Sequence, residues 1–174
     1  MRAALIRIAD GIDGLVGRVG SVTSWLTLVL VILICLDVFM RYFLNTSKIW
    51  ILELEWHLFS ILFLLGASYT LLYDKHVRVD LYYDRIAQRK KNVVNAVGVL
   101  LFMVPWCLVV LDTSWDYASN SFSFREGSSQ PNGLPARYLI KFMIWIGFLL
   151  LLLQALSVLI KAIFGHKTNE RWKV

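Results

Sequence analysis

The sequence predicts an all-α integral membrane protein with four transmembrane helices, and three observations carry that prediction. The 174 residues are 58% hydrophobic and only 17% charged, against roughly 45–50% and about 25% in ordinary soluble domains. The apolar excess is gathered into four runs, each close to the ~20 residues that cross a bilayer. The 18 basic residues flank those runs instead of forming one basic face. The net charge of +6 therefore reads as a topology signal and as contact with anionic membrane lipids, and not as a nucleic-acid surface. Cys35 and Cys107 both fall inside apolar runs, so no disulfide framework or metal-ligand spacing is present in the sequence.

Residues 1–20 form the first segment. Asp10 and Asp13 interrupt any signal-peptide core. Leu5, Ile8, Ile12, Leu15, Val16 and Val19 recur at intervals of three and four, which predicts an amphipathic helix lying at the membrane interface. Residues 21–164 form the transmembrane domain, with spans at about 22–44, 49–73, 93–118 and 138–164. Residues 165–174 form a tail. The turn at 45–48 is so short that the first two spans make an antiparallel hairpin. Thirteen Lys and Arg residues fall in the N-terminal segment, the second loop and the C-terminal end, against five on the other side (Arg41, Lys48, Arg125, Arg137 and Lys141). Both termini are therefore expected in the cytoplasm.

Charge inside a span is costly and marks a function or a partner. Asp37, Arg41, Glu53, Glu55, Asp112, Asp116 and Lys141 all fall towards the outer ends of their helices. Asp37 and Arg41 share a helix face, as do Asp112 and Asp116. Arg41 is expected to reach Glu53 or Glu55 across the hairpin, and Lys141 to reach Asp112 or Asp116. The set reads either as an ion network that holds the helices together or as a polar surface that positions a partner subunit. The bilayer centre is nearly bare. His57 and Gln154 are its only candidates, and no series of ionisable groups or paired broken helices marks a substrate path. His57 sits one turn from Glu53, but a metal site needs more ligands than these two. A haem anchor needs a second histidine at depth, whereas His76 and His166 fall in segments expected in the cytoplasm. No hydrolase device accompanies Ser60 and His57.

Several stretches together resemble one family. They are Glu53-Leu54-Glu55-Trp56, Gly66-Ala67-Ser68-Tyr69, His76-Val77-Arg78-Val79-Asp80, Glu126-Gly127-Ser128-Ser129, Gly133-Leu134-Pro135-Ala136, Lys141, Gly147-Phe148 and Leu153-Gln154. From about residue 20 to 164 the chain resembles the small membrane subunit, DctQ type, of tripartite ATP-independent periplasmic (TRAP) transporters. The resemblance implies a multi-pass bacterial inner-membrane protein that is not an enzyme. It implies a large permease partner of the DctM type, which would carry the substrate and sodium sites and move in elevator fashion. It also implies a periplasmic binding protein of the DctP type that delivers an organic anion. No cofactor, metal or catalytic residue is expected on this chain. Arg41, Glu53, Glu55, Asp112 and Lys141 would support helix packing or scaffold contact. Lys48, Arg125, Glu126 and Arg137 would lie on the docking side. His76, Arg78 and Asp80 would shape the cytoplasmic loop. Two rival classes are a small homodimeric exporter, which needs a usable intramembrane carboxylate and often a weaker charge bias, and the membrane anchor of a redox complex, which needs paired histidines.

Overall fold

The computed structural model describes residues 2–73 and 88–164. Among these, four helical segments are long and apolar enough to cross a membrane. Helix α1 is Arg2–Phe43 and α2 is Ile49–Leu72. Helix α3, Gln88–Gly98, runs through a π-helical stretch, Val99–Met103, into α4, Val104–Ser123. Helix α5 is Tyr138–Phe164. The π-stretch lies where Pro105 begins the next helix. The Val104 N–H bonds the Val99 carbonyl five residues back, and this wider turn accommodates a ring that would otherwise collide with the preceding turn.

The N-terminal segment is not separate from the first span. It is the first half of α1, a helix of 42 residues and so about 63 Å long, roughly twice the thickness of a hydrocarbon core. No proline falls between Arg2 and Phe43 to break it. Its apolar stripe forms only part of the buried face. Ile8 and Leu15 are exposed, while Ala9, Asp13, Val16, Gly17 and Gly20 are buried. Small and acidic residues face the bundle, and most large apolar ones face outward.

The same inversion holds throughout. Val22, Trp25, Phe63 and Phe102 are among the exposed large side chains. Helices in lipid gain nothing by hiding Leu or Phe from a solvent equally apolar, so close packing of small residues and buried polar contacts hold them together. Helix α5 packs against all the other helices. At Gly147 a Cβ would stand 2.9 Å from Leu64 Cβ on α2, and at Gly20 a Cβ would fall within the Tyr69 ring. A small core of Leu71, Val99 and Ala155 joins α2, the π-stretch and α5.

The hairpin is tight. Asn45 takes a left-handed φ of 50° at the end of α1, and the Thr46 N–H turns back to the Met40 carbonyl at 3.1 Å. The chain then enters α2 through Lys48, which is exposed.

Candidate functional site

Glu53 and Lys141 meet the loop between α4 and α5 at the hairpin end. Arg125, at a left-handed φ of 48°, ends α4, and its N–H bonds the Phe122 carbonyl at 2.9 Å. The loop then folds on itself. The Ser128 N–H donates to the Leu134 carbonyl at 3.0 Å, and the Arg137 N–H donates to the Glu126 carbonyl at 2.9 Å. Asn132 and Ala136 also take positive φ, 61° and 88°, conformations that L-residues adopt only where surrounding contacts hold them.

Two carboxylates fasten this loop. Glu53, buried on α2, accepts hydrogen bonds from the Ser128 hydroxyl and, at 2.6 Å, from the Leu134 N–H. Glu126 accepts from the Ser121 hydroxyl at 2.6 Å and is ion-paired with Lys141. The Lys141 ammonium also stands 4.0 Å from the centre of the Tyr117 ring, and the Arg137 guanidinium lies 5.7 Å from that of Trp56. The loop is thus tied to α2, α4 and α5 at once. Gly133 fits where no other residue does: a Cβ there would stand 2.4 Å from Ser128 Cβ and 2.7 Å from the Glu53 carboxylate.

Glu126 lies outside the spans. The hydrogen bonds from Lys141 and Ser121 hold its carboxyl below the usual carboxylate value of 4.5. A group lowered in the folded state stabilises above its unfolded pKa and loses that contribution as pH falls through the folded one. Hydrogen exchange at the Arg137 amide is therefore expected to stay constant from neutral pH to about 5 and to accelerate, after correction for intrinsic rates, only below the ordinary carboxylate range.

Two expected pairings are corrected. Arg41 does not reach Glu53 or Glu55; it pairs with Asp37 one turn back on α1. Glu53 is taken by the loop, and Glu55 lies only within electrostatic reach of Asp37 and Arg41. Lys141 does not pair with Asp112 or Asp116. Its partner is Glu126, while both aspartates are exposed on α4 and point away from the bundle. His57 bonds through Nδ1 to the Glu53 carbonyl oxygen at 2.6 Å, not to the carboxylate, and its ring lies tilted by 35° against Trp56 with centroids 3.8 Å apart. Arg125 is exposed, and Arg137 is partly covered. His76, Arg78 and Asp80 lie outside the described residues.

A second cluster, at the end that carries the termini, was not anticipated from the sequence. Asp13 on α1 is 1% exposed. It is ion-paired with Lys161 of α5 and accepts from Ser157 at 2.6 Å and from the Gln154 amide at 3.1 Å. Asp10 stands 3.0 Å from the same ammonium. The signal present in the sequence was a pair of acids one turn apart in a basic segment, together with Lys161 inside an apolar run.

None of the curated proteins compared with the chain matches it. A family model does: that of the DctQ component of tripartite ATP-independent periplasmic transporters, over residues 30–165. The matched region contains Glu53, the whole loop it fastens, and Lys141. The chain belongs to the DctQ family: it is a multi-pass inner-membrane component of a TRAP transporter, not an enzyme, and it works with a large permease and a binding protein.

Proposed function

We propose that this chain is the static scaffold of its transporter. It holds a DctM-type permease in the membrane and offers part of the surface on which a DctP-type binding protein docks, for sodium-coupled uptake of an organic anion. In this reading both termini are cytoplasmic, the fastened loop faces the periplasm, and sodium and substrate are bound by the large subunit.

One observation carries the reading. All five buried charged residues among the described residues (Asp13, Asp37, Glu53, Lys141 and Lys161) have a bonded partner within this same chain. A moving carrier needs polar groups free to exchange partners with its cargo. Here Asp13, Glu53, Lys141 and Lys161 join helices and loop, and Asp37 is paired along α1 with Arg41. The exposed Asp112 and Asp116 supply a place for the permease contact. They lie on α4 near the exposed Trp106, Leu108 and Val109, towards the outer end of the span, where an unpaired carboxylate on an apolar surface calls for a polar partner. Lys48 and Arg125 stand exposed at the hairpin end, where a binding protein would meet the membrane.

The test is a covalent staple. Ser157 Oγ lies 3.2 Å from the Ala9 carbonyl, so cysteines at these two positions, in a chain lacking Cys35 and Cys107, join α1 to α5. A static scaffold predicts that uptake by the reconstituted three-component transporter is the same oxidised and reduced. Uptake that stops on oxidation and returns on reduction contradicts the reading.

A further inference from the structure

Helices α2 and α5 pack tightly at Gly147, where a Cβ would stand 2.9 Å from Leu64 Cβ. On the hairpin side of that contact lies a cleft of about 370 Å³, lined by residues that include Trp56, Phe59, Phe63, Ile144, Arg137 and Lys141. Its walls sort by depth. Trp56 and Arg137 stand at the mouth; Phe63, Leu64 and Ile144 form the deep end, some two turns or about 12 Å further in along α2. The wall is apolar and aromatic. The hydroxyl of Ser60 is satisfied by the Trp56 carbonyl at 2.7 Å. The charged residues that line the cleft are the two cations, Arg137 and Lys141.

One carboxylate near these cations, Glu126, is ion-paired with Lys141, but neither it nor Glu53 lines the cleft. Glu53 is engaged by Ser128 and Leu134, and Glu126 also by Ser121. Arg137 has no carboxylate within ion-pair distance among the described residues and rests over the Trp56 ring. A cationic mouth at the level where the helices leave the membrane, above an apolar slot within it, matches one kind of molecule. That molecule has a single anionic headgroup and a hydrocarbon tail. We propose that the cleft between α2 and α5 is a binding site for an anionic phospholipid, with its phosphodiester at Arg137 and Lys141 and one acyl chain along Phe59, Phe63 and Ile144. A soluble anion would use the cations alone and leave the slot unfilled, and a helix from the permease would not need the cations.

The test is native mass spectrometry of the full chain released from mild detergent, with dioleoylphosphatidylglycerol or dioleoylphosphatidylcholine added. The phosphatidylglycerol adduct is expected to survive activation that strips phosphatidylcholine. Arg137→Gln should weaken it at least threefold. Ser60→Trp, which fills the slot and leaves both cations, should abolish it, while Arg125→Gln, which removes an outer cation remote from the cleft, should leave it unchanged. Inorganic phosphate should not displace it. Equal retention of the two lipids, an adduct indifferent to Ser60→Trp, or displacement by phosphate would overturn the proposal. So would a photo-crosslinker at Phe63 that captures the permease in place of lipid in the assembled transporter.

Discussion

Lys161→Met is expected to destabilise the bundle by about 3–5 kcal/mol, because it strands the buried Asp13 carboxylate without its cation. At this chain length that corresponds to a fall in Tm of roughly 10 °C. The Ser157 hydroxyl and the Gln154 amide still reach Asp13, but two neutral donors do not replace an ammonium at a site 1% exposed. The companion Asp13→Asn, Lys161→Met removes both charges, keeps an acceptor for Ser157, and should recover most of the loss, since replacing a buried pair is far milder than breaking it. Thermal unfolding of the detergent-solubilised chain reads both. A neutral Lys161→Met would mean that the first half of α1 is not latched to α5.

Glu53→Ala is expected to release the loop between α4 and α5 while leaving the four helices in place. The Leu134 N–H and the Ser128 hydroxyl each lose their acceptor, and Gly133, Asn132 and Ala136 lose the contact around which their turn is built. Exchange at the Leu134 amide should quicken by roughly 30-fold, the ordinary consequence of leaving such a donor unmatched. Glu53→Gln retains one acceptor oxygen and should fall between the two. Unchanged exchange in Glu53→Ala would show that the loop stands without its clamp.

These two sites were not equally legible in the sequence. The helix bounds of α2 and α5 were readable to within a residue, 49–73 against Ile49–Leu72 and 138–164 against Tyr138–Phe164, because turn residues and charges flank predominantly apolar runs. The continuity of the N-terminal segment with the first span was not legible, because apolar residues spaced by three and four mark a helix but not where it joins the next, and nothing local pairs Asp10 and Asp13. Their partner lies about 148 positions away on α5, and no local periodicity encodes such a pairing. At the hairpin end every charged residue was visible as a candidate. The i,i+4 relation of Asp37 and Arg41 was also visible, since helix geometry alone sets it. The partners of Glu53 and Lys141 were not. They depend on a loop closed by left-handed residues at Arg125, Asn132 and Ala136. Pro131-Asn132-Gly133 announces a turn, while the left-handed Arg125 and Ala136 carry no composition signal. What the motif fragments did carry was their joint presence. Glu53, Ser128, Gly133 and Leu134 are scattered in the chain and meet at one carboxylate.

The scaffold account rests on partnership with a larger membrane chain, so the most direct measurement is purification of this chain from its native membrane in mild detergent, with identification of what accompanies it. Asp112→Lys together with Asp116→Lys, run in parallel, reports whether α4 supplies the contact, by loss of the accompanying chain. The account predicts a stoichiometric large polytopic protein with the unaltered chain. Recovery of this chain alone or as a dimer, with uptake intact in vesicles that contain no other membrane protein, would contradict it.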